Sequence, residues 1–407
     1  MKPLLARFAG FGAVPLIAAV VPFAVLPIAS RIQGPDGWAA IGTGQAIGAL
    51  VAMIASYGWN VNGGARVAQA DGPAEQRALY AQSLWCRLIA YGVVGGLGAA
   101  LAAALVGGAF GSVAALATLA TGATGLTVAW YSVGVGQARI ALWYEAVPVA
   151  ALTLASAGAM LLTGSVAAYP VLMLVGVAIG LVMLNVSLFR RPLPPWNGRQ
   201  VATAFRRNLA VAIADGVGGS YTTAPVPVGQ VLMGTSAAAQ LTSADKVYRI
   251  GLTAVSVLAN STQKWVLEVS WAQGRMRRHA VALALHAAVG VIGFSVLVFA
   301  GEFLTRVFLG AEVAPPAELF PAYGLAYLII SLTTPLIRNV LVPAGRDRVV
   351  MLAIVCSALV GLPAMIFGGI AWGLVGITSG LALSEVIVLS VVATAALRVL
   401  RDARRHH

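Results

Sequence analysis

The chain has 407 residues, of which 59% are hydrophobic and 10% charged, and its formal net charge is +13. A soluble core of this size needs less apolar residue and its surface needs more charge, so the composition excludes a soluble enzyme or binding module. Apolar runs of about 18 residues or more recur along the whole length, which marks an all-α polytopic membrane protein.

The N-terminus is a basic stub, Lys2 and Arg7, followed by a long apolar run with no small-x-small cleavage site, and it reads as a retained first helix. Twelve helices are expected, at about 8–30, 38–60, 80–107, 112–135, 146–164, 168–188, 208–231, 237–260, 280–300, 319–342, 349–370 and 373–397. An even number puts both termini on one side. The segments on that side carry 20 Lys and Arg, whereas the opposite side carries only Arg31 and Arg306. This asymmetry places both termini in the cytoplasm. It also accounts for most of the positive charge without nucleic acid. The basic tail reads as an anchor at anionic lipid head groups. Trp38, Trp143, Trp196, Trp265 and Trp372 stand at expected helix ends, where interfacial tryptophans belong.

The spacing of the two cysteines, Cys86 and Cys356, offers neither a disulfide framework nor a metal site, and no cofactor motif is present. Of the four histidines, His406 and His407 are in the tail, and His279 and His286 open helix 9. His286 reads as a satisfied packing residue. No nucleophile elbow or phosphate-cradling glycine loop stands where it could act.

Helix 1 and helix 7 carry matched prolines, Pro22 and Pro27 in one, Pro225 and Pro227 in the other. Proline removes a backbone donor and bends a helix, so these pairs are either bending gates or static kinks. The match is part of a wider repeat. At a shift of 200 positions, Arg7 meets Arg207, Pro27 meets Pro227, Gly34 meets Gly234, Ser56 meets Ser256 and Asn60 meets Asn260. Both copies begin on the cytoplasmic side, which makes a parallel repeat about an axis along the membrane normal. The expected layout is an N-lobe over 1–189, a cytoplasmic linker over 190–207 and a C-lobe over 208–407. Two lobes with a central cavity near the midplane are the plan of an alternating-access transporter.

Helix 8 holds the stretch Ser243-Ala244-Asp245-Lys246-Val247-Tyr248-Arg249-Ile250 between uncharged flanks. At 1.5 Å per residue, Lys246 and Arg249 lie about 13–18 Å inside the helix, near the middle of a core about 30 Å thick. Facing lipid, each would cost about 2.5–3.5 kcal/mol. Thr242, Asp245, Arg249, Thr253, Ser256 and Asn260 share one stripe at about 100° per residue, with Lys246 at its edge. The matching stripe on helix 2 is neutral: Gln45, Ala49, Ser56 and Asn60. Other intramembrane charges are Arg87, Arg338, Asp215 and Glu385. Arg87 and Arg338 lie nearer the cytoplasmic ends, where snorkelling competes with a role in the cavity. Two readings stay open, buried ion pairs that fix packing or a cationic anion-binding cavity. In the second reading, Lys246, Arg249, Arg87, Arg338, Asn60, Asn260, Gln45 and Ser256 bind substrate. Asp215, Asp245 and Glu385 pair with them or exchange a coupling ion, H+ or Na+.

At the end of helix 2, Tyr57-Gly58-Trp59-Asn60-Val61-Asn62-Gly63-Gly64-Ala65-Arg66-Val67-Ala68 resembles the YGFN-x-x-G-x-R-x-VA stretch of polysaccharide repeat-unit flippases of the O-antigen and teichoic-acid type. Ala244-Asp245-Lys246-Val247-Tyr248-Arg249 resembles their A-[DE]-K-[IL]-x-R segment. These flippases belong to the multidrug/oligosaccharidyl-lipid/polysaccharide (MOP) exporter superfamily. The resemblance implies a V-shaped transporter in the bacterial cytoplasmic membrane. It would move an undecaprenyl-diphosphate-linked oligosaccharide to the outer leaflet, with Lys246 and Arg249 meeting diphosphate and sugar, and Asn60 and Arg66 carried over by motif position. Membrane lipid, a polymerase and other polysaccharide-assembly proteins are the implied partners. Trp59 stands where the family has Phe, no proline follows the helix 8 motif in Asn260-Ser261-Thr262-Gln263-Lys264-Trp265, and the two extra helices of peptidoglycan-precursor flippases are absent. A multidrug-type exporter of the same superfamily would be expected to lack deep Lys and Arg. A membrane polysaccharide polymerase or ligase would be expected to show a large external loop or a catalytic cluster.

Overall fold

A computed structural model describes residue 21, residues 24–269 and residues 274–405. Every regular element among them is helical. In chain order these are α1 (24–32), α2 (Gly34–Ser56), α3 (Trp59–Ala68), α4 (Pro73–Val106), α5 (Gly111–Gly122), α6 (Ala129–Val135), α7 (Ala138–Ala141), α8 (Val147–Thr163) and α9 (Ala168–Phe189). They continue with α10 (Gly198–Thr223), α11 (Pro225–Met233), α12 (Thr235–Leu267), α13 (Arg275–Leu309), α14 (Phe320–Pro335) and α15 (Asp347–Arg405). Most of expected helix 1, including Pro22, lies outside the described residues.

Eight helical runs among the described residues are long and apolar enough to cross a membrane unaided. The longest, Asp347–Asp402, is two expected spans in sequence, divided where Trp372 and Gly373 leave helical geometry. Expected helices 7 and 8 are present as α10–α11 and α12, but their polar and charged residues keep them out of the eight. A span with that many polar groups requires neighbours rather than lipid alone.

Glycine placement explains the local breaks. Gly34 and Gly234 both have positive φ, 60° and 81°, just where the two repeat-related helices begin. Expected helix 2 does not run unbroken to residue 60. Tyr57 and Gly58 adopt left-handed geometry and turn the chain from α2 into α3. The second copy has Val257 and Leu258 there, so α12 continues to Leu267.

Two compact units part between Gly219 and Ser220. Within the first, small residues bring helices close, as lipid-embedded bundles require. The Thr118 hydroxyl donates to the Gly44 carbonyl at 3.0 Å, joining α5 to α2. Within the second, Gly368 and Gly376 face each other across the Trp372–Gly373 turn, where a Cβ on Gly368 would stand 2.7 Å from the Gly376 carbonyl oxygen.

The expected linker over 190–207 is strapped to the first unit and half helical. Asn185 Nδ2 donates to the Pro192 carbonyl at 2.8 Å, and Trp85 Nε1 to that of Pro194 at 3.1 Å. Residues from Gly198 on are already α10, with Val201, Ala204 and Asn208 buried. Prolines ended the helical pattern in sequence, but a side chain 7 residues back, Asn185, and one 109 residues away, Trp85, supply hydrogen bonds to these turns. Trp38, expected at an interface, is fully buried. Trp143, Trp196, Trp265 and Trp372 are exposed.

Candidate functional site

In the second unit the polar stripe of α12 runs from buried to exposed. Thr242 and Asp245 are buried, Lys246 and Arg249 half-buried, and Ser256 and Asn260 exposed. Asp245 Oδ2 accepts from Arg249 Nε at 2.6 Å, one helical turn on. Arg249 Nη2 donates to the Thr222 carbonyl at 2.8 Å, at the end of α10. Pro225 then opens α11, so the expected proline break is present. Pro227 follows inside α11. Lys246 makes no hydrogen bond or ion pair with a described residue. Its neighbour Tyr248 packs on Tyr323 with ring centroids 5.1 Å apart, and the buried Tyr323 hydroxyl has no partner among the described residues. Glu385 is buried and faces Tyr221, the residue before Thr222.

Arg338 and Asn260, two of the residues singled out in the sequence, lie far apart along the chain and are in contact. Arg338 Nη1 donates to Asn260 Oδ1 at 2.7 Å. Arg338 sits on a π-helical turn, Leu336–Leu341, that continues α14. Such turns re-aim side chains that a regular helix would hold in register. His286 is not the satisfied packing residue expected. It is fully buried, and neither ring nitrogen has a partner among the described residues. Only its backbone is engaged, its carbonyl accepting from Ser331 at 2.6 Å.

In the first unit the expected residues are more dispersed. Gln45 Nε2 donates to the Tyr169 hydroxyl at 3.1 Å. Asn60 is exposed in the first turn of α3. Asp215 is half-buried on α10 and makes no ion pair with a described residue. The carbonyl of Pro27 accepts from Ser30 Oγ at 3.1 Å and from Arg31 Nη1 at 2.8 Å.

Arg87 does not snorkel. It is fully buried, donates to the Thr127 carbonyl at 2.6 Å, and lies 5.4 Å from the Trp130 ring centre. Trp130 packs on Trp59 at 5.4 Å, and Arg66 lies 5.1 Å over Trp59. Arg66 is no plain surface charge either, since it donates to Asn208 Oδ1 at 2.8 Å. The YGWN motif is therefore built into a cation–aromatic stack as well as a chain turn.

Glu145 was not singled out in the sequence because it falls one residue outside expected helix 5. It sits on a second π-helical turn, Leu142–Ala146, and accepts from Thr127 Oγ1 at 2.6 Å and from the Val128 amide at 2.9 Å. With Leu126, Thr153, Tyr169 and Leu181 it lines a cavity of about 340 Å³. Its signal was present: an acidic residue directly before an apolar span.

No family model matches the chain. A protein of Shigella dysenteriae described as "Putative O-antigen transporter" is 24% identical over 378 residues, covering 87% of this chain and 91% of that protein. An inward-facing multidrug resistance MATE family transporter of the MOP superfamily superposes with a TM-score of 0.71 at 11% identity, covering 98% of this chain and 99% of that one. The lipid II flippase MurJ in an inward closed conformation gives a TM-score of 0.70 at 10% identity, covering 95% and 87%. The twelve-helix, two-lobe layout fits these neighbours. The chain is thus a multi-pass membrane protein with the fold of the MOP transporter superfamily, and the resemblance of its motifs to the O-antigen type has its counterpart in the curated relative.

Proposed function

We propose that this chain is a flippase that moves an undecaprenyl-diphosphate-linked oligosaccharide from the cytoplasmic to the outer leaflet of the bacterial cytoplasmic membrane. Transport is by alternating access, in the service of cell-surface polysaccharide assembly. The observation that carries the reading is Lys246, a half-buried ammonium in the middle of α12 without a partner among the described residues, beside Arg249. A cation held in that position costs several kcal/mol unless an anion or water compensates it. A diphosphate supplies the compensation, because a phosphate oxygen accepts readily from an ammonium.

The remaining assignments follow from this reading. Arg338 and Asn260 form a second polar contact in the same unit, suited to sugar hydroxyls. Ser256, Gln45 and Asn60 line the polar stripes. Asp215 and Glu385, neither of which is in an ion pair with a described residue, take the coupling H+ or Na+. Both termini are cytoplasmic by the charge asymmetry. A polymerase and other assembly proteins receive the product. The curated relative and the solved neighbours are all named as transporters, which favours transport over a polymerase or ligase. A multidrug exporter of organic cations has no use for a partnerless lysine at this depth.

The test is leaflet access. Cells lacking the protein are loaded with labelled lipid-linked repeat units, and the face on which the sugars appear is recorded. Accumulation on the cytoplasmic face, cured by the wild-type chain but not by Lys246→Ala, is the expected result. Sugars that reach the outer face but stay unpolymerised would replace the flippase reading with an enzyme acting after translocation.

A further inference from the structure

We propose that the cavity of the first unit is a ligand site for a lipophilic ammonium, an apolar body bearing one positive charge. This ligand competes with the turn between α5 and α6 for the Glu145 carboxylate. The inference does not depend on the flippase reading.

Two departures from regular helix build the site. After α5 the chain passes through a 3₁₀ turn, Ala123–Leu126, and Thr127 leaves helical geometry at φ −44° and ψ 145° before α6 opens at Ala129. The π-helical turn Leu142–Ala146 brings Glu145 to that break. Glu145 Oε1 accepts from Thr127 Oγ1 at 2.6 Å, and Oε2 accepts from the Val128 amide at 2.9 Å. Both donors are neutral, and Glu145 is in no ion pair with a described residue. Arg87 does not supply the missing charge. It is fully buried and donates to the carbonyls of Gly125 and Thr127 instead. Among the described residues that line the cavity, Glu145 is the one charged group.

A half-buried carboxylate on an apolar cavity in a membrane-spanning chain favours a cation beside it. The lining decides which cation. Leu126, Val149, Met173, Val177 and Leu181 give walls without side-chain oxygen, whereas a hard metal ion takes a shell of oxygen ligands. A volume of about 340 Å³ falls in the range of small-molecule pockets and far exceeds the space of one proton or one bare ion. Tyr144 and Tyr169 add two aromatic rings to the lining, and such rings attract organic cations. An ammonium on an apolar body meets each of these conditions. It also draws on the two oxygens that hold the turn, because a charged donor bonds a carboxylate more strongly than a neutral hydroxyl does. Occupancy therefore loosens the hold of Glu145 on Thr127 and on the start of α6.

The test uses the full-length chain in lipid nanodiscs. Equilibrium binding of tritiated 2-phenylethylamine, protonated at neutral pH, is measured with empty nanodiscs subtracted. Its neutral counterpart, 2-phenylethanol, is measured alongside. The wild-type chain is expected to bind the amine about tenfold or more tighter than the alcohol. Glu145→Gln should weaken the amine by about tenfold or more and leave the alcohol within about threefold. Thr127→Val removes the competing hydroxyl and should tighten the amine by about threefold, a gain that Glu145→Gln in the same background cancels. If Glu145→Gln does not fold, Val177→Phe narrows the cavity with the carboxylate in place, and it should weaken both probes. Equal binding of amine and alcohol by the wild-type chain, or no binding of the amine, would overturn the site. Wild-type affinity for the amine in Glu145→Gln or Val177→Phe would place the probe elsewhere and overturn it too. Unchanged or weaker amine binding in Thr127→Val would overturn the competition.

Discussion

Arg338 Nη1 donates to Asn260 Oδ1 at 2.7 Å, tying the π-helical turn after α14 to the exposed end of the α12 stripe. A single neutral-acceptor hydrogen bond at a partly exposed place contributes only about 0.5–1.5 kcal/mol net. Four further N–H donors of the guanidinium are not engaged by Asn260. Arg338→Gln is therefore expected to lower transport of lipid-linked sugar several-fold while the unfolding midpoint in detergent stays nearly unchanged. Equal losses in transport and stability would make the contact a packing device.

Gly58 is required by backbone geometry. Its φ is 72°, and a Cβ there would stand 2.8 and 2.9 Å from Val211 carbons. A left-handed alanine costs about 1–2 kcal/mol before any clash. Gly58→Ala should lower thermal stability by at least that much. Adding Val211→Ala should recover the steric share and leave the backbone share, a comparison made by a double-mutant cycle.

Arg87 has a fully buried guanidinium whose carbonyl partners lie on the segment that also engages Glu145. Glu145 is half-buried and forms no ion pair with Arg87, but both engage the Thr127 region, and removing the guanidinium leaves buried carbonyls without their donor, at a cost of about 1–3 kcal/mol. Arg87→Met is expected to be strongly destabilising. Arg87→Met with Glu145→Gln should cost less than the sum of the two single changes, as read from unfolding midpoints of the purified chain.

Glu385 is buried beside Tyr221 and in no ion pair with a described residue, and Asp215 is a second half-buried carboxylate without one. If these carry the coupling ion, Glu385→Gln should abolish uptake driven by an H+ or Na+ gradient in vesicles. Substrate exchange at equal concentrations, which needs no gradient, should persist. Loss of both together would assign Glu385 to packing, with Asp215→Asn as the parallel trial.

Much of the architecture was legible because it is written in one-dimensional signals. The division of the last helical run falls at Trp372 and Gly373, where the apolar pattern already broke. Gly34 and Gly234, aligned by the 200-residue repeat, share left-handed geometry. The three charged positions of helix 8, Asp245, Lys246 and Arg249, were conspicuous because ionised groups are expensive at that depth.

The fate of each polar group was not legible. Arg87 and Arg249 are both intramembrane arginines, and nothing local to either says which carbonyl it will meet. Trp38 looked interfacial and is buried, His286 looked satisfied and is orphaned, and Glu145 was passed over at a helix edge. Length, hydropathy and the cost of charge act residue by residue along the chain, so the sequence alone determined a polytopic helical protein, the break at Trp372–Gly373 and the cations of helix 8, but not the turn at Tyr57–Gly58. In spans that are apolar on every side, no periodic face records which helix packs against which. Thr222 meets Arg249, and Thr127 meets Arg87, only after distant helices have packed, and that decision belongs to the tertiary structure.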